Sequence, residues 1–201
     1  MERTSRLFVV SGPSGAGKGT LVARIRAERP DLALTVSATT RSPREGEVAD
    51  VSYHYLSEED FSKKIDEGAF LEWADVHGHR YGTLKSEVLT SIEAGRSVIL
   101  EIDVQGGFNV RKEYPEAVLI FVAPPSPEVL EARLRGRGSE DEGQIRLRLA
   151  NAAREMEQAA RYDAVVINDD LDQATHELLR LIERYESNGG YTHHGSDESR
   201  D

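Results

Sequence analysis

The sequence predicts an α/β fold: a mostly parallel sheet covered by helices on both faces, interrupted by a small β-rich insertion. Three observations carry this. Continuous apolar runs at 7–10, 98–102, 118–122 and 164–167 read as strands buried on both faces, with a shorter one at 32–36. Segments of helical spacing lie between them, at 18–29, 105–113, 127–134, 145–161 and 171–185. The stretch from Thr35 to Gly95 breaks that rhythm with short aromatic, alternating pieces at 53–56, 70–73 and 80–81.

The first strand empties into a glycine-rich loop. Gly12, Pro13, Ser14, Gly15, Ala16, Gly17 and Lys18 fit the G-x-x-x-x-G-K-[ST] pattern, and Leu21, Val22 and Ile25 then fall at helical spacing. A strand, a tight glycine loop and a helix N-terminus in this order form an anion cradle, because backbone N–H groups point inward and the helix dipole adds positive charge. Lys18 reaches the outer phosphates as a point charge. Gly19 stands where the pattern has a hydroxyl, and Thr20 follows one position later. Metal contact from Thr20 then runs through water, or the metal relies on acidic groups elsewhere. The plain alternative is a glycine-rich turn joining strand to helix.

Within the insertion, residues 36–44 place Arg41 and Arg44 three apart beside Ser37 and several other hydroxyls. Arginine forks suit phosphate oxygens, although a solvated Ser-Pro turn has the same composition. Ser57 followed by Asp60 marks a helix start. Strict alternation at 70–73 puts Phe70 and Glu72 on one face, and Leu71 and Trp73 on the other. A carboxylate beside an aromatic ring can contact a planar base; an exposed strand charge is the alternative. Tyr53, Tyr81 and Thr83 add hydroxyls in the same region, where tyrosine most often packs.

After the insertion, Glu101-Ile102-Asp103 ends a buried strand, and alternation puts both carboxylates on one side, at the strand end where ligands collect. Arg133 and Arg137, four apart on one helix face, and Arg148 flank a charged, glycine-rich stretch at 136–143 that reads as a mobile loop. They either converge on an anion or solubilise surface helices. Residues 187–201 lack an apolar period and read as a disordered tail, in which His193 and His194 are solvated.

Composition narrows the class. The chain has 201 residues, suited to one compact domain with small inserted subdomains. It has no cysteine, so disulfides and thiolate metal sites are excluded. A net charge of −11 argues against broad nucleic-acid binding. No apolar stretch approaches the roughly 20 residues of a membrane span, and the start of the chain resembles no secretory signal, so a cytoplasmic location is expected.

Taken together these residues resemble guanylate kinase over nearly the whole folded chain, from about Arg6 to Tyr185. The phosphate loop is shared by many families. The combination of VSATTRSPREGE at 36–47, FLEWADVHGHRYGT at 70–83, EIDVQG at 101–106 and INDD at 167–170 is specific. The resemblance implies a P-loop kinase that phosphorylates GMP with ATP and Mg²⁺. Residues 1–34, 96–126 and 160–186 would form the core, 35–95 the GMP-binding subdomain and 127–159 a short helical lid. It implies ATP contacts from Gly12 through Thr20, including Gly19, and from Arg133, Arg137 and Asn168. It implies GMP contacts from Ser37, Arg41, Arg44, Tyr53, Glu72, Tyr81, Thr83, Asp103 and Arg148. Lys18, Arg41, Arg137 and Arg148 would act in catalysis, and Thr20, Glu101 and Asp103 would lie near the metal, in part through water. Glu101 stands where some members carry Asp, which lengthens the reach of that charge.

Overall fold

A computed structural model describes residues 3–76, 78–136 and 142–187. Its main sheet is parallel, five-stranded and ordered β2-β7-β1-β8-β9. The strands are β1 (Leu7–Ser11), β2 (Ala33–Leu34), β7 (Val98–Glu101), β8 (Val118–Ala123) and β9 (Ala164–Ile167). β1 lies between β7 and β8, with Val9 opposite Leu100 on one side and Leu119 on the other. β1 and β8 are buried along their whole length and show no polar alternation, because both of their faces are covered.

Successive residues of these strands feed two cores. Phe8, Val10, Ile99, Ile120 and Val166 pack against Leu21, Val22 and Ile25 of α1 (Lys18–Glu28) and Leu178 and Ile182 of α7 (Leu171–Ser187). Leu7, Val9, Leu100, Leu119 and Phe121 pack the other way, against Val88 of α3 (Lys85–Glu93) and Val104 and Val110 of α4 (Val104–Glu113). The helices start where local chemistry allows. Asp103 caps α4 by accepting from Gly106 N–H, and Ser126 caps α5 (Pro127–Arg135), with Pro127 at its first turn.

A second, four-stranded sheet has the order β4-β3-β6-β5, with β3 (Ala38–Thr39), β4 (His54–Tyr55), β5 (Phe70–Val76) and β6 (His79–Leu84). Ser57 accepts from Asp60 N–H and starts α2 (Glu58–Asp66), as expected. Phe61 of α2 stacks on Phe70 at 4.4 Å, giving this sheet its own small core with Ala38. The sequence does not set helix α3 apart from the insertion, because its apolar positions are few.

Three local expectations are corrected. The 145–161 helix is α6 (Glu142–Met156), followed by a separate single-turn helix at Ala159–Arg161. Glu142 and Gly143, read as loop, open α6. The alternation at 70–73 also fails, because a bulge separates Phe70 from Glu72, so that Phe70 pairs with Leu84 and Glu72 with Thr83. Phe70 and Trp73 both contact Phe61, whereas Leu71 enters the main core and Glu72 turns toward α4. The 188–201 tail, with His193 and His194, and the heart of the 136–143 loop lie outside the described residues. No helix among the described residues is long and apolar enough to cross a membrane.

The loop after β1 is built into the sheet. Gly12 has φ +145°, and a Cβ there would lie 2.1 Å from the carbonyl oxygen of Val122 on β8. The backbone of a packed strand cannot yield, so Gly12→Ala is expected to destabilise the fold by about 2–4 kcal/mol. Urea unfolding of the two proteins measures this; equal midpoints would mean that the loop does not press on β8.

Candidate active site

The glycine loop sits at the carboxyl end of β1, the place where parallel sheets bind ligands. Gly15 and Gly17 hold left-handed backbone, at φ +93° and +92°. A Cβ on Gly17 would meet the Asn168 amide at 2.3 Å. Asn168, buried at the end of β9, donates from Nδ2 to Ala16 O (2.8 Å) and from its backbone to Ala123 O (2.8 Å). Its side chain braces the underside of the loop, a role the sequence did not suggest. Lys18 Nζ reaches back over the loop to the carbonyls of Gly12 and Pro13.

The strand-end carboxylates serve different neighbours, because alternation stops where β7 ends at Glu101. The Glu101 carboxylate lies against Gly19, with both oxygens 3.4 Å from where a Cβ would project. Burial pushes its carboxyl up, and Lys18 partly offsets this. Asp103 faces the other way in function: its Oδ1 accepts from Gly106 N–H at 2.7 Å as the helix cap, a local role that spacing alone did not reveal.

A cleft of 310 Å³ joins the core to the insertion. Gly19 of α1 and Glu101 of β7 line one wall, and Ser37, Tyr53 and Thr83 line the other. Near it, Thr83 Oγ1 donates to Glu72 Oε1 at 2.7 Å, and Glu72 Oε2 approaches α4 at Gly106. Burial raises the Glu72 carboxyl above its ordinary value; the Thr83 bonds oppose this and the charge of Asp103 adds to it. This is a desolvated carboxylate with few partners of its own, and such groups collect where a ligand completes them.

Arg41, Tyr53 and Tyr81 converge. The Arg41 guanidinium lies 5.3 Å over the Tyr53 ring, Tyr53 and Tyr81 meet edge to face at 6.0 Å, and Tyr81 also faces Arg41. Glu47, which sequence reasoning did not single out, sits at the centre. It accepts from Arg41 Nη2 (2.8 Å) and Nη1 (3.0 Å), from Arg44 backbone N–H (2.7 Å) and from Tyr55 Oη (2.7 Å). Arg41 first, then the Arg44 N–H and Tyr55, hold the Glu47 carboxyl down at about 2. Only its place between Arg44 and Tyr55 in the sequence hinted at this.

On the other side of the loop, α5 and α6 share a small core of Leu130, Leu134, Leu149 and Ala152. Arg133 Nη2 donates to Asn168 O at 2.9 Å, and Arg148 Nη1 to Ser14 Oγ at 2.8 Å, so both arginines touch the loop or its brace. Arg137 lies outside the described residues. Glu155 of α6, also missed, faces Lys18 and Asp103, and burial raises its carboxyl.

A phosphate loop at a parallel sheet's switch point, an arginine–tyrosine cluster on an inserted sheet and an arginine-bearing helix pair define a class: a P-loop nucleotide kinase, a phosphotransferase. The family model described as guanylate kinase matches residues 4–185. A guanylate kinase of Caldanaerobacter subterraneus subsp. tengcongensis is 47% identical over 90% of this chain and 88% of its own length. One of Synechocystis sp. is 50% identical over 88% and 93%. The crystal structure of guanylate kinase from Anaplasma phagocytophilum superposes with a TM-score of 0.73 at 27% identity, covering 94% of this chain and 89% of that one. The chain belongs to the guanylate kinase family.

Proposed function

We propose that the glycine loop, the Arg41 cluster and Glu72 divide the work of one reaction, ATP + GMP giving ADP + GDP. The observation that carries the acceptor's identity is the half-buried Glu72 carboxylate beside Thr83. Guanine offers N1–H and a 2-amino group side by side as donors, and a carboxylate offers two acceptors. Adenine presents a lone pair at N1, so the same carboxylate repels it. Ser37, Thr83 and Asp103 complete the base's surroundings. Arg41, Arg44, Tyr53 and Tyr81 take the GMP phosphate, and residues 12–20 with Arg133, Arg137 and Asn168 take ATP.

Phosphoryl transfer needs positioning and charge stabilisation more than covalent help. Lys18 meets the transferring group from the loop side. Arg148, carried on α6 of the 127–159 lid, meets it from the other side, and Arg137 of the same segment would join it. Closure of the lid excludes water as a competing acceptor. The GMP phosphate is already an ionised nucleophile, so the site requires no general base.

Mg²⁺ fits the donors present. The donors are hard oxygen atoms, the kind Mg²⁺ takes, and nucleotide phosphates and water would supply the rest of its shell. Glu101, next to Gly19, and Thr20 would hold it from the protein side, with Asp103 contributing through water. When bound, the ion neutralises phosphate charge.

ADP release measured by a coupled assay with GMP, AMP, UMP and CMP tests the reading. The expected result is GMP preferred over AMP by at least about 10³ in kcat/KM. Comparable rates with AMP would remove Glu72 from its role.

A further inference from the structure

Arg41 has five N–H donors, and three of them are committed in the arrangement described above. Nη1 donates to Ser42 O (2.7 Å) and to Glu47 Oε2, and Nη2 donates to Glu47 Oε1. The terminal fork of the guanidinium is therefore filled by a carboxylate of this chain. The Nε–H and the second Nη2–H lie along the lateral edge of the same plane, and the Tyr81 and Tyr55 hydroxyls also lie within reach of the guanidinium.

We propose that Glu47 is a positioning residue for the acceptor's phosphate: by holding the terminal fork of Arg41, it presents the lateral edge of the guanidinium to that phosphate. The inference rests on the GMP-kinase reading above. Three features of the cluster support it. Arg41 is nearly buried, with 10% of its side chain exposed, so the guanidinium is held within the cluster. The same carboxylate takes the Arg44 N–H and the Tyr55 hydroxyl, so one group sets the second arginine's backbone and a strand of the inserted sheet together. Arg41, Arg44 and Glu47 sum to one positive charge, which leaves the site attractive to a phosphate even with the carboxylate in place.

The opposite role is a plug, in which Glu47 competes with phosphate for Arg41 and must leave before GMP binds. The two roles predict opposite signs. A free arginine side chain loses most of its rotamer freedom when it grips a ligand, and a partner that has already fixed it removes that cost. With Glu47→Gln, KM for GMP is expected to rise about 10–30-fold, a magnitude set by that freedom. The kcat at saturating GMP should stay within about threefold, since the donor side is untouched.

Guanosine, which lacks the phosphate, serves as the control. Its inhibition constant against GMP should be the same for Glu47→Gln and the parent protein. A second variant tightens the test. Lysine has no planar fork with a separate lateral edge, so Arg41→Lys should already forfeit the effect, and Glu47→Gln added to it should change KM for GMP by less than about threefold. An unchanged or lowered KM for GMP in Glu47→Gln overturns the proposal. So does a guanosine constant that worsens in step with it, which would mean that the inserted sheet as a whole had been disturbed. A parent protein that does not use GMP at all would instead sink the underlying reading of the reaction.

Discussion

Replacing Glu72 with glutamine is expected to cut kcat/KM for GMP by about 10²–10³ while making the protein more stable. The loss follows from the acceptor pair. A glutamine keeps one oxygen but turns an N–H₂ toward a guanine donor, leaving two donors face to face. The gain in stability follows from the charge. Burial and Asp103 raise the Glu72 carboxyl in the folded protein. A carboxyl that binds its proton more tightly when folded contributes less stability as pH rises through that window, so at neutral pH its charge is a net cost. Glutamine removes the charge and still accepts from Thr83 Oγ1. The melting temperature without ligand is expected to rise by about 2–4 °C. KM for GMP in the parent should also climb as pH falls into the raised titration range of Glu72, and that limb should vanish in the variant. ATP affinity should not move. Steady-state kinetics with GMP and AMP, paired with thermal unfolding, check all of this. A variant that keeps its GMP preference would refute the assignment, and one that melts lower would show that the carboxylate is structural.

Lys18→Ala should lower kcat by about 10³ with the fold intact. Lys18 Nζ donates to the loop carbonyls of Gly12 and Pro13, whereas α1 is held by Leu21, Val22 and Ile25, all buried. Removing the ammonium therefore takes away positive charge at the transferring group without opening the core. KM for GMP should stay near the parent value, since the Arg41 cluster lies on the separate inserted sheet. Pre-steady-state turnover and urea unfolding separate the two effects. A kcat within tenfold of the parent would exclude Lys18 from charge stabilisation, and a large fall in the unfolding midpoint would mean that the lysine works mainly by holding the loop.

Much of this architecture is readable from local pattern, because the physics involved is local. Four apolar runs became β1, β7, β8 and β9 of the main sheet within a residue at either end, since a continuous apolar run leaves no competing period to confuse the reading. The Ser57 cap was visible because its partner, Asp60, is three residues away. The 70–73 alternation failed for the converse reason. A bulge is set by which partner residues the neighbouring strand offers, here Thr83 and Leu84 on β6, and no feature of Phe70–Trp73 itself announces it. The capping bond of Asp103 to Gly106 is not legible in sequence, where the residue looks like any acid near a strand end. Asn168 shows the same limit at longer range: it braces Ala16, 152 residues earlier in the chain.

The sequence by itself determined the order of strands and helices, the phosphate loop and the residue types available for two anionic substrates, because periodicity and glycine spacing are properties of neighbouring residues. Tertiary structure decided which of those groups meet. It folded Glu72 around a bulge toward Thr83, placed Glu47 inside the fork of Arg41 and set Glu101 against Gly19. Those pairings depend on strand register, loop conformation and the placement of a helix on a strand end, none of which a local pattern announces.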